Sequence, residues 1–142
     1  MRGTMLTNYQ RGSNFERQIK DKLTKKGFYC MRSAGSHSVV DVCAINENQV
    51  YLIQCKTSNT QKLPDVKQLL KGEVLERDKK ASLTKSLGIN VFDTVKSNVK
   101  ILEEMKVPEN THKIILWKGV GRDNVLHFIW NGKDWSVKQG WF

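Results

Sequence analysis

Two apolar runs, Val39–Ile45 and Val50–Lys56, stand either side of the polar tetrapeptide Asn46-Glu47-Asn48-Gln49. β-Branched and aromatic residues dominate both, so they read as strands joined in a hairpin. Neither run alternates cleanly with polar residues. A strand apolar on both faces needs cover on both, so the pair predicts a sheet packed between helices, not one with a wet side. Against that background Asp41, Gln54 and Lys56 stand out as polar residues set in apolar strands.

Their relation depends on the turn. With a two- or four-residue loop centred between Glu47 and Asn48, paired residue numbers sum to 95, and Asp41 falls opposite Gln54. Opposed side chains share a face at roughly 4.5–5.5 Å between Cβ atoms, and Lys56, two residues on from Gln54, joins them. A slip of one residue would pair Asp41 with Ile53 or Cys55 and turn Lys56 to the other face.

Before the hairpin, Ser13-Asn14-Phe15-Glu16 fits a capping box, Phe15, Ile19 and Leu23 recur every four residues, and Gly27 suits a left-handed helix end. A helix over Asn14–Lys26 is predicted, then a strand Phe28–Arg32 and a small polar loop Ser33–Ser38. Residues 1–12 lack apolar pattern and are expected to form a flexible arm, with 13–142 a single domain. Pro64–Gly88 is expected to be helical but interrupted, and a second helix runs through Val95, Val99, Leu102 and Met105 with Asp93 as its cap. Strands follow over Lys113–Lys118, Val125–Trp130 and from Trp135, with Asn131-Gly132 as a tight turn.

Twenty-four Lys and Arg against fourteen Asp and Glu leave a charge of +10, a strong field for a polyanion. A Lys-rich solvated surface is the bland alternative. Cys30, Cys43 and Cys55 lack the spacing of a zinc site or disulfide framework and read as free thiols in a reducing compartment. No signal peptide and no apolar run of ~20 residues is present. A soluble, cytoplasmic protein without membrane association is expected, of cellular or viral origin.

Asp41 is the safest functional residue, because a carboxylate among Val and Cys is costly unless it is paired or binds metal. Asp41 with the Gln54 amide oxygen and the Cys55 backbone carbonyl offers hard oxygen ligands of the kind Mg²⁺ prefers, and Lys56 a cation for water or phosphate. Glu16 fits a helix cap as well as a second carboxylate. Lone His37 between serines is left outside the catalytic set, and Trp117, Trp130, Trp135 and Trp141 suit core packing at least as well as base stacking.

Arg11-Gly12, Phe15-Glu16-Arg17, Gly27-Phe28, Arg32-Ser33-Ala34-Gly35-Ser36, Asp41 and Tyr51–Lys56 follow one another in an order and spacing that resembles the PD-(D/E)XK nucleases, and more closely the archaeal-type Holliday junction resolvases. The resemblance covers roughly the first 60 residues. It implies an α/β fold with a central mixed sheet flanked by helices, a restriction-endonuclease-like core. It implies Glu16, Asp41 and Gln54 as metal-site residues, with Lys56 as the catalytic lysine. Arg11 and Arg32 become DNA contacts and Ser36 or Ser38 part of a DNA-gripping loop. Mg²⁺, with Mn²⁺ able to substitute, is the implied cofactor, with no small-molecule cofactor. A homodimer cutting four-way or branched DNA by paired incisions is the implied function. Val40 replaces the motif's proline, and Gln54 stands where these resolvases usually carry glutamate, which removes one negative charge from the site. A related nuclease with another DNA substrate, restriction-like or in repair, and a catalytically weakened basic DNA-binding protein are the alternatives.

Overall fold

The computed structural model describes residues 7–33, 38–58 and 91–141. The expected helical stretch Pro64–Gly88 and the loop residue Ser36 lie outside them.

The first helix, α1, spans Asn8–Lys25 and so begins six residues before the predicted start. Its capping box is Thr7 with Gln10: the Thr7 hydroxyl accepts from the Gln10 N–H and the Gln10 side chain accepts from the Thr7 N–H. Ser13 and Glu16, expected to cap, lie within the helix, and so do residues 8–12 of the expected arm. The other end follows the expectation. Gly27 adopts φ 94°, and the N–H groups of Gly27 and Phe28 return to the carbonyls of Thr24 and Leu23, which closes the helix with a Schellman motif.

Among the described residues six strands form one sheet in chain order: β1 Tyr29–Arg32, β2 Val42–Ile45, β3 Val50–Thr57, β4 Thr111–Lys118, β5 Val125–Trp130 and β6 Trp135–Gln139. Neighbours are antiparallel except β3 and β4, which are parallel. That pairing requires a crossover, and the second helix, α2 (Val91–Glu104), falls within it. Because α2 starts at Val91, Asp93 is its third residue and not its cap.

The two helices have opposite faces of the sheet to bury. Phe15, Ile19 and Leu23 of α1 are each at most 1% exposed and pack on Val42, Ala44, Ile53, Ile114 and Leu116. Val99 and Leu102 of α2 pack on Ile115, Trp117, Phe128 and Trp135. Alternation along β3 and β4 therefore feeds two separate cores, which is why both strands read as continuously apolar. Burying Phe15, Ile19 and Leu23 stabilises the α1 packing by about 1.5–3 kcal/mol per side chain. Trp117 and Trp135 are core residues, Trp130 packs on Trp135 at 5.3 Å, and Trp141 meets Phe15 edge-on at 5.5 Å, so packing engages all four tryptophans.

Lys113, only 6% exposed, ties α2 down: its ammonium donates to the carbonyls of Glu103 and Met105, the open end of the helix. The Trp135 indole N–H donates to the Glu103 carboxylate at 2.6 Å.

Candidate active site

The β2–β3 hairpin has the register anticipated from its loop: Val42 pairs with Ile53 and Ile45 with Val50. Asn46 closes the turn by accepting the N–H groups of Asn48 and Gln49 on its side-chain oxygen. The strand is shorter than expected, however. Val39, Val40 and Asp41 lie outside β2, and pairing stops at Val42 while β3 runs on through Gln54, Cys55, Lys56 and Thr57.

Asp41 sits in the fork this opens. Its N–H donates to the Ile53 carbonyl at 2.8 Å, and its carboxylate accepts the Cys55 N–H at 2.8 Å. A side-chain oxygen thus replaces the strand carbonyl that a longer β2 would have offered, and the aspartate is fixed to the edge of β3. Upstream, the Ser38 hydroxyl accepts the Val40 N–H, and the Asp41 carbonyl accepts from Ser33, so the loop re-enters the sheet in a set conformation. Ser38 is exposed.

Glu16 approaches from α1. It forms an ion pair with Arg32, whose Nε and Nη2 donate to the same carboxylate oxygen at 3.2 and 3.1 Å, Nη2 donating also to the Ser13 hydroxyl at 3.1 Å. Ser13, expected as a cap, instead accepts from Arg32 and Arg17, and its place one turn before Glu16 is the signal that could have found this contact. Arg11 lies further toward the start of α1.

Gln54 and Lys56 point to the face opposite α1, since they alternate with Ile53 and Cys55, which pack against it, and are in register with Ile115 and Trp117. Gln54 is 3% exposed, and its side-chain carbonyl oxygen has no hydrogen-bond partner among the described residues. A buried acceptor left unsatisfied costs ~1–3 kcal/mol, so an oxygen held this way suits a ligand to be bound.

The electrostatics bind the group together. Burial raises the Asp41 carboxyl from 3.8 to about 6; the Cys55 N–H opposes this, the charge of Glu16 adds to it, and Lys56 opposes it. Burial lowers Lys56, with Asp41 acting the other way. Burial and the neighbouring Asp41 and Glu16 raise the Cys55 thiol well above its usual range. Asp41 thus feels Glu16 from one face of the sheet and Lys56 from the other. Gln54 shares the face of Lys56, with no direct bond to Asp41. Among the described residues no three His, Cys, Asp or Glu side chains gather as a metal cluster, so a cation here would draw on the amide and backbone oxygens beside the two carboxylates.

A mixed sheet with one helix packed on each face, and this arrangement at the open edge of its third strand, is an α/β fold. The comparisons narrow the class. Residues 7–76, just under half of the chain, match the family model of the archaeal Holliday junction resolvases (Hjc), so the resemblance read from the sequence is borne out over that stretch. The crossover junction endodeoxyribonuclease Hjc of Methanocaldococcus jannaschii is 45% identical over 58 residues, 41% of this chain and 43% of that protein. The aligned part therefore spans less than half of that relative. Among solved structures, Hjc of Archaeoglobus fulgidus, a Holliday junction resolvase from an archaeal hyperthermophile, covers 89% of this chain and 85% of its own at 18% identity and a TM-score of 0.41.

Proposed function

We propose that this protein is a metal-dependent endonuclease that resolves four-way DNA junctions, with Glu16, Asp41, Gln54 and Lys56 as its active site. The observation that carries the reading is the strand fork: a carboxylate held by a backbone N–H at 2.8 Å, beside a buried amide oxygen with no described partner and a half-buried lysine. The family match over residues 7–76 supplies the substrate class.

These residues fit a divalent cation, Mg²⁺ with Mn²⁺ able to replace it. Asp41 would anchor it, Gln54 and the Cys55 carbonyl would add neutral oxygens, and Glu16 would add a second carboxylate. Such a cation supplies Lewis-acid stabilisation of the charge that grows on the phosphate during hydrolysis. Asp41, fixed by Cys55, needs no reorganisation to act. Lys56 orients the attacking water or offsets phosphate charge at that position. Arg32 holds Glu16 in place and, with Arg11 and the loop carrying Ser36 and Ser38, meets the DNA backbone.

A four-way junction has near two-fold symmetry, and one chain carries one such site, so paired incision calls for a homodimer. The charge of +10 makes binding steeply salt-dependent and directs it to shape and backbone. Three free thiols suit a reducing, intracellular setting, and among the described residues no helix is long and apolar enough to cross a membrane.

The test is incubation of a labelled four-way junction and a matched linear duplex with Mg²⁺ or EDTA, beside Asp41→Ala. Symmetric, metal-dependent cuts in the junction alone, absent from the variant, are expected; equal cleavage of the duplex would assign a different DNA substrate. Gln54, in place of the usual glutamate, favours one second reading, a basic DNA-binding protein with a weakened centre. Tight binding without cleavage, unchanged in Asp41→Ala, would select it.

A further inference from the structure

Just past Lys56 the chain builds a second feature. Between the start of α1 and the ends of the parallel strands β3 and β4 lies a cleft of about 280 Å³. Two cations, Arg11 and Lys118, line it together with the neutral polar residues Asn14, Gln18, Thr57 and Ser58, and among the described residues no Asp or Glu does. Ser58 is only 6% exposed, and its hydroxyl has no hydrogen-bond partner among the described residues, although its N–H continues the ladder to the Lys118 carbonyl at 2.9 Å. The Lys118 ammonium is held by the carbonyls of Gly119 and Gly121 at 3.2 and 3.0 Å. An ammonium has three N–H donors, so one stays available beyond those two carbonyls. A fixed cation and a buried, unassigned hydroxyl in a cleft with no acidic residue among its described lining are arranged for an anion with several acceptor oxygens.

The geometry points to this cleft as a binding site for a second DNA backbone phosphate, held by Lys118 and Ser58. The inference rests on the nuclease reading above. Ser58 follows Lys56 by two residues, about 6.6 Å of extended strand, which matches the rise of roughly two nucleotides at ~3.4 Å each. The contact fixes the strand in register one or two nucleotides from the bond that faces Lys56. It carries no base information and acts as a positioning contact.

The test uses the whole protein with a labelled four-way junction in EDTA, where binding is read without hydrolysis. Neutral methylphosphonates replace single phosphates one at a time. In the wild type one position near the branch should cost about tenfold in affinity, the effect of losing one charge-assisted contact. Lys118→Gln and Ser58→Ala should each bind more weakly and lose part of the sensitivity to the methylphosphonate at that position, Lys118→Gln the larger part, while Lys133→Gln, on the exposed β5–β6 turn, keeps the wild-type sensitivity. Lys118→Gln should also lower the salt slope by about 0.9. Full sensitivity retained in both cleft variants would overturn the inference, as would its loss in Lys133→Gln. Ser58→Ala removes only a hydroxyl, so the comparison survives if Lys118→Gln fails to fold. Cleavage with Mg²⁺, measured alongside, is independent: no cutting by the wild type defeats the nuclease reading and leaves the phosphate coupling readable.

Discussion

The amide N–H of Cys55 donates to the carboxylate of Asp41 at 2.8 Å, across a gap where β2 has already left the sheet. That bond favours the charged carboxylate, yet burial outweighs it and raises the group to about 6. Asp41 is therefore held in the strand fork at a cost in stability.

The cost has a sign and a pH window. Between the unfolded value of 3.8 and the folded value of about 6 the folded chain binds more protons than the unfolded one, so stability falls as pH rises through that window. At ~1.4 kcal/mol per pH unit, discounted for solvent screening, the loss is about 1–3 kcal/mol above pH 6. Asp41→Asn should match wild-type stability near pH 4 and exceed it by that amount at pH 7 without metal, as read by urea melts. Added Mg²⁺ should stabilise the wild type and leave Asp41→Asn unmoved; equal stabilisation of both would remove Asp41 from the metal site.

Gln54 offers a second separation of stability from function. Gln54→Leu removes a buried acceptor without a described partner and should raise stability by about 1–2 kcal/mol while abolishing cleavage. Gln54→Glu should act in the opposite way, lowering metal-free stability because it buries a charge near Asp41 and reducing the Mg²⁺ concentration needed for half-maximal cleavage several-fold. An unchanged Mg²⁺ requirement would show that the missing charge is not what sets metal affinity.

Arg32 joins Glu16 and Ser13 through part-exposed contacts, so its structural worth is modest. Arg32→Gln should cost about 1 kcal/mol in thermal unfolding and weaken junction binding by a larger factor, with the salt slope reduced by about one. A stability loss above ~3 kcal/mol with unchanged DNA affinity would make Arg32 a structural residue only.

What was legible in the sequence follows from where the signal was periodic. Phe15, Ile19 and Leu23, the sum-to-95 register and the Asn131-Gly132 turn all stand in the structure, because buried faces and turn chemistry leave local marks. The start of α1 was misread because Ser13 to Glu16 spells a plausible cap, while the true cap at Thr7 precedes residues with no apolar repeat. The early end of β2 left no mark either: Val39 and Val40 are as strand-like as Val42, but they pack on the α2 face. The Glu16–Arg32 pair is sixteen residues apart in sequence, and only tertiary packing brings it together.

Lys113 carries a stability prediction away from the site. Among the described residues its ammonium donates to the two carbonyls at the end of α2, and burial lowers its pKa. Lys113→Met keeps the apolar stem but leaves both carbonyls open, which should cost about 1–3 kcal/mol in urea unfolding. A neutral result would mean that solvent replaces the cap freely.

Gly12 stands inside α1, and a Cβ built on it meets nothing within 4 Å. A helical glycine costs about 0.5–1 kcal/mol relative to alanine, so Gly12→Ala should stabilise the protein by that amount. The residue follows Arg11, which lines the cleft assigned to a DNA phosphate. If close backbone approach by the DNA is the reason for the glycine, Gly12→Ala will melt higher and bind a four-way junction more weakly. The two readouts then move in opposite directions, whereas a glycine of no consequence to binding would give the stability gain alone.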